Sequence, residues 1–206
     1  MGNIEHYKPP NFSQEDIRKS ADDIRLKFWG DRLPIDVELI AERDLDILLT
    51  PLPGIRQINK TDAILLINRE IVYDTDVIPF RIRFSIAHEI GHLILHTDFL
   101  NKFGIASIKD YAAFTSKIPE YIWDKIETQA NEFAGRILVP KENLIKEIKM
   151  MSDKIEEARA IINFDIHTLN TIVSRVLHKK FEVSEGVIKI RLEREKIDAF
   201  EIIKEL

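Results

Sequence analysis

The 206-residue chain contains no cysteine, only seven glycines and eight prolines, and little excess of charge. The missing cysteines exclude disulfide bonds and thiolate ligands, so any bound metal must be held by histidine or by oxygen ligands. No apolar run approaches the roughly 18 residues of a membrane-spanning helix. These absences lead us to expect a cytoplasmic protein without a membrane segment.

The formal net charge of −5 provides no attraction for nucleic acid or acidic membranes. Hydrophobic residues make up 45% of the chain and charged residues 32%, which is ordinary for a globular protein. A chain of this length suits one domain, or one domain with a small appendage. The composition therefore favours an enzyme or regulator over a protein that binds nucleic acid or acidic membranes.

The spacing of apolar residues predicts an α+β chain. Ser13 is placed to cap a helix that continues to Phe28. Another short helix is predicted after Asp36, and Pro79 begins an apolar helix that reaches about His96. Short apolar runs between turn residues predict a small sheet of about three strands, over residues 47–49, 63–67 and 71–73.

The second half of the chain is predicted to be helical. Residues 97–118 show no clear period, which indicates a loop or a short helix. Pro119 begins a helix that ends near Leu138, and several short helices are expected from Ser152 onward. We predict a division into residues 1–150, which carry the sheet and long helices, and residues 151–206, a small helical tail.

The pentapeptide His88-Glu89-Ile90-Gly91-His92 lies in the predicted apolar helix. Its two histidines are one turn apart on the same face, so both can bind a single Zn²⁺. Glu89 then lies beside the metal as a candidate general base. Gly91 weakens a helix interior, and we expect it to allow close packing by a neighbouring element.

A catalytic zinc site normally has three protein ligands. The residue six positions after His92 is Asp98, not the third histidine of a metzincin. The alternative is Glu127, which shares a predicted helix face with Asn131 and two alanines, Ala130 and Ala134. Glu127 is therefore predicted to be the third ligand and Asn131 an outer-shell partner. Glu132 points elsewhere and is expected at the surface.

These segments resemble the ImmA/IrrE family of gluzincin-like metallopeptidases. The resemblance is carried by residues 83–96 (RFSIAHEIGHLILH), by residues 127–134 (ETQANEFA) and by Leu138-Val139-Pro140. It implies a zincin-like fold in which the sheet packs on the central helix. It also implies His88, His92 and Glu127 as zinc ligands and Glu89 as catalytic acid/base.

The resemblance further implies a regulatory zinc endopeptidase, with Zn²⁺ as its cofactor. Its expected protein substrate is an Xre-type helix-turn-helix repressor whose cleavage derepresses phage, mobile-element or stress genes. Many members carry a helix-turn-helix domain in front of the peptidase, whereas only about 30 residues precede it here, so we expect the stand-alone form. The alternative is a zinc-binding regulatory or toxin/antitoxin-associated protein that binds a partner without proteolysis.

Some roles stay open at the level of sequence. His96, one turn beyond His92, is favoured as a structural or substrate-side histidine over a further ligand. The donor that would stabilise the oxyanion of peptide hydrolysis has four candidates, among which the sequence does not choose. They are Tyr73, Tyr111, Tyr121 and His96.

The end of the chain resembles a helix-turn-helix, with Phe181 and Val183 in the turn and Ser184 capping a second helix. A helix that reads DNA should show a basic, polar face, but acids and bases are nearly balanced in this segment. We therefore expect this tail to pack on the protein or bind a partner, and we do not expect direct DNA binding.

Overall fold

The computed structural model describes residues 4, 7–161 and 165–204, and within them it has the predicted α+β architecture. The elements before the central helix are α1 (Gln14–Phe28), α2 (Val37–Leu39) with a π-helical turn (Ile40–Asp44), β1 (Leu48–Leu52), α3 (Ile55–Asn59), β2 (Ala63–Leu66) and β3 (Glu70–Asp74). Those that follow are α4 (Pro79–Leu95), α5 (Thr97–Phe103), α6 (Ile108–Thr115), α7 (Glu120–Leu138), α8 (Lys141–Lys149), α9 (Ser152–Ile161), α10 (Ile166–Phe181), α11 (Glu185–Arg194) and α12 (Ala199–Lys204). No helix of the described part is long and apolar enough to cross a membrane.

Local signals determine most element boundaries as predicted. Ser13 caps α1 in a capping box with Asp16, since each side chain bonds the other's backbone N–H. Ser184 likewise accepts the N–H of Val187 at the start of α11. Residues 97–118 are more regular than expected, because they contain α5 and α6 joined through Gly104, which adopts a positive φ of 44°.

The three strands lie in the order β1-β3-β2, with β1 parallel and β2 antiparallel to β3. Every residue of β2 is apolar and buried because both faces of the sheet are covered. Ala63 and Leu65 face the main core, which contains α1, α4, α7, α10 and α11, while Ile64 and Leu66 face a second cluster formed with α5, α6 and the start of α7.

Helices α4 and α7 pack closely at the centre of the main core. A Cβ at Gly91 would lie 3.2 Å from the carbonyl oxygen of Ala130 and 3.1 Å from the ring of Phe133. Ala130 and Ala134 are fully buried at this contact. The predicted close packing at Gly91 is confirmed, and it brings the histidines of α4 within reach of α7.

Glu132 was predicted to lie at the surface, and this was wrong. It is 8% exposed and lies 2.7 Å from Arg136 and 3.0 Å from Arg191, which is itself 2% exposed. Glu195 pairs with the same two arginines. Two buried acids and two buried arginines neutralise one another, and they join α11 to α7.

The tail over residues 166–194 therefore packs against the helices of the site. The boundary at residue 150 stays a prediction, because these contacts do not test whether residues 151–206 fold as a separate unit.

Candidate metal centre

Three side chains from two helices converge on one point. The Nε2 atoms of His88 and His92 lie 3.0 Å apart, and the carboxylate of Glu127 lies 3.3 Å from the first and 3.1 Å from the second. The first two come from α4 and the third from α7, at the contact around Gly91. We call His88, His92 and Glu127 the metal cluster. No other group of this kind was found in the part of the chain that the structure describes.

A chain of hydrogen bonds sets the tautomer of His92. The Gln129 amide nitrogen donates to the Pro10 carbonyl oxygen (3.0 Å), so its Oε1 must accept from His96 Nε2, 2.9 Å away. Burial, with the neighbouring His92, lowers the pKa of His96 to about 3, so His96 is neutral and its Nδ1 can only accept. His92 Nδ1, 3.1 Å away, must then donate.

The second imidazole is oriented in the same way. His88 Nδ1 lies 3.0 Å from Asn131 Oδ1, which can only accept, so Nδ1 carries the proton. Both Nε2 lone pairs are then directed towards each other and towards the Glu127 carboxylate, an arrangement that a metal ion bound between them would satisfy. Tetrahedral ligands 2.0–2.1 Å from zinc are separated by about 3.3 Å, close to the distances between these atoms. The cluster thus fits a zinc ion.

Glu89 lies next to the cluster and is only 8% exposed. Its Oε2 accepts the backbone N–H of Leu65 from β2 at 3.1 Å, which fixes the carboxylate. Burial raises the pKa of Glu89 above its usual value. A carboxylate of raised pKa beside a metal is suited to take a proton from water and return it to a leaving group.

Two cavities meet at this site. The larger, of about 380 Å³, runs from His88, Glu89 and Glu127 along α4 to α11, and we call it the substrate cleft. A small cavity of about 30 Å³, the volume of one water molecule, is lined by the metal cluster, Glu89, Thr61 and Tyr111.

The four oxyanion candidates are differently placed. Tyr111 is the one that lines the small cavity, and burial first, and then the Glu89 and Glu127 carboxylates, raise its pKa and keep its hydroxyl protonated. Both ring nitrogens of His96 are engaged by His92 and Gln129. Tyr73 packs on the main core and Tyr121 is 65% exposed on α7. The role of Tyr111 at the site stays a prediction.

Sequence reasoning missed Gln129. It lies between Glu127 and Asn131, the two residues of this helix to which the sequence assigns a role, and only its contact with His96 and Pro10 gives it a function. A glutamine two residues after a ligand, and therefore on another helix face, gives no signal in the sequence. Thr61 also gave no signal in the sequence, and it reaches the site from the loop before β2.

The family model described as the IrrE N-terminal-like domain (Peptidase_M78) matches residues 41–193. The chain belongs to this family. Membership confirms the ImmA/IrrE assignment and the zincin-like fold. The family is typically metal-dependent, and the metal cluster is the corresponding candidate site.

Solved structures give a more distant likeness, and no curated protein matches the chain. A Mycobacterium tuberculosis transcriptional regulator is similar with a TM-score of 0.52 at 16% sequence identity. The match covers 86% of this chain and 46% of that one, so this chain spans about half the length of that protein. At this identity the likeness shows the fold alone.

The hydrogen-bond chain behind His92 predicts a loss of zinc affinity when it is broken. In His96→Phe the His92 Nδ1–H loses its acceptor, and we expect zinc affinity to fall about 10- to 100-fold, the usual effect of removing an outer-shell partner. Competition with a chromophoric chelator measures it. His167→Phe, at an exposed histidine of α10, is the control. Equal affinities of the two variants would contradict the orienting role.

Proposed function

We propose that this protein is a zinc endopeptidase that cleaves a helix-turn-helix repressor. The observation that supports the peptidase reaction is the juxtaposition of a His-His-Glu cluster with Glu89 at the end of an open cleft. A bound zinc ion lowers the pKa of water towards 7 and polarises the carbonyl of a peptide bond.

The residues of this chain divide the remaining work. Glu89 takes the proton from the attacking water and delivers it to the nitrogen of the leaving amine, because its carboxylate is buried next to the cluster. The Tyr111 hydroxyl, kept protonated, donates to the oxygen that becomes negative during attack.

The cleft also fits an extended polypeptide. Residues 60–63, the segment that leads into β2, line one side of the cleft. An extended segment of substrate can lie along this backbone and hydrogen-bond to it, as in other cases of strand addition. The substrate is then a flexible or locally unfolded region of a protein. Its identity as an Xre-type repressor is proposed from the family resemblance.

The test is to incubate the zinc-loaded protein with the repressor encoded beside its gene and to search for a discrete cut by mass spectrometry. We expect one or a few cuts that disappear when the zinc is removed by a chelator. Cleavage of a proteome-derived peptide mixture but not of this repressor would support the peptidase activity and would show that the repressor is not the substrate. Binding of the repressor without cleavage of either would favour the alternative, a regulatory protein that acts by binding.

A further inference from the structure

Two rows of side chains on α4 line the substrate cleft and lead to the metal cluster. Phe80, Phe84 and His88 are spaced four residues apart and form one row, and Arg81, Ser85 and Glu89 form the adjacent row. The first row is apolar up to the metal ligand, and the second is polar throughout. Helix α4 therefore gives the cleft an apolar side and a polar side along its length.

The polar row faces the sheet. Arg81 forms an ion pair with Asp62, immediately before β2, and Glu89 accepts the N–H of Leu65 within β2. The side of the cleft formed by residues 60–63 thus presents charged groups and backbone to a bound segment.

The apolar row faces α10 and α11. The ring of Phe80 lies edge-on to His178 of α10, with centroids 5.8 Å apart, and Val187 of α11 lines the same cleft. Val187 and Phe84 are each half-buried and pack on the main core, so both are held in place. Opposite the strand, the cleft therefore has an apolar side.

This apolar side is rigid because the α10–α11 turn is tied to the site helices. Arg83 of α4 lies 3.0 Å from Glu182 in the turn, and Arg191 of α11 lies 3.0 Å from Glu132 of α7. Moving α11 away would break the buried pair, which is costly.

We propose that Phe80, Phe84 and Val187 determine the specificity of the site by receiving an apolar side chain of the substrate beside the cleaved bond. This inference deepens the proposed function and rests on it. The substrate is then an extended segment whose backbone follows residues 60–63 and whose apolar residue fills the side formed by α4 and α11. An acidic or strongly polar residue at that position is rejected, because burying it against these rings leaves it without partners.

Binding without turnover tests the proposal. The zinc-loaded Glu89→Gln protein is titrated by calorimetry with the hydroxamates of N-acetyl-leucine and N-acetyl-glutamate, in which the hydroxamate chelates zinc and the side chain samples the cleft. We expect the leucine probe to bind at least about 10-fold more tightly, in line with the discrimination of hydrophobic pockets. Val187→Lys in the same background should remove this preference, while Ile190→Lys, at a 54% exposed position of α11, should leave it unchanged.

Zinc content and melting temperature show whether each variant is folded. If Val187→Lys does not fold, Phe80→Ala is used, and it should weaken the leucine probe but not the hydroxamate of N-acetyl-glycine. The proposal would be overturned if the Glu89→Gln protein bound the leucine and glutamate probes with equal affinity. It would also be overturned if Val187→Lys and Ile190→Lys had the same preference between the two probes. Since no cleavage is measured, a failure here is distinct from a failure of the peptidase function.

Discussion

We expect Glu89→Gln to slow cleavage of the proposed substrate strongly while zinc remains bound. The substitution keeps the size of the side chain and its hydrogen bond from Leu65 N–H, but an amide cannot take a proton from water. General-base catalysis contributes about 10²- to 10⁴-fold, so we expect kcat to fall about 1,000-fold. Single-turnover cleavage, followed by mass spectrometry, measures the effect.

The control for this variant is Glu120→Gln, at an exposed position in the first turn of α7, two helical turns before Glu127. It makes the same chemical change and should cleave like the parent protein. Zinc content, measured by atomic emission, should be one ion per chain in both variants. If Glu89→Gln cut as fast as the parent protein, Glu89 would not be the general base.

We expect Glu127→Ala to lose zinc. Its carboxylate is the candidate ligand from α7 that completes a three-ligand site with His88 and His92. Removing an outer-shell partner costs about 10- to 100-fold in metal affinity, so losing a direct ligand should cost at least about 100-fold. Chelator competition and metal analysis after dialysis give the affinity and the stoichiometry.

The matched control is Glu142→Ala, which removes a carboxylate of the same type from the first turn of α8. It should retain one zinc per chain. Glu127→Asp, whose shorter side chain keeps the charge, should show an intermediate affinity. Full zinc content in Glu127→Ala would mean that the third ligand has been wrongly assigned.

The metal cluster could be predicted because its signal is local. A helix places residues four apart on the same face, so His88 and His92 had to lie together once α4 formed. Glu127 was predictable for a related reason, since small residues on its helix face indicated close approach to another helix. The structure brings His88, His92 and Glu127 together where α4 and α7 pack against each other. The small size of Gly91 also indicated this close contact.

Glu132 shows where this reasoning fails. Its position on α7 was assigned correctly, but its burial depends on Arg191, 59 residues further along the chain. A charged residue is normally exposed unless it is paired, and no periodicity in the sequence reveals a partner at that distance. Gln129 was missed for the same reason, because its partners, His96 and Pro10, are distant along the chain.

The sequence by itself determined the helix that carries the histidines, the three candidate ligands and the candidate general base, because helical spacing and capping act over a few residues. Only the tertiary structure decided what surrounds them. Pro10, Gln129 and His96 fix the proton on His92, Tyr111 comes to the small cavity from α6, and Val187 of the tail lines the substrate cleft. These residues meet through packing of a shared core between elements distant in sequence, and that packing depends on the whole chain.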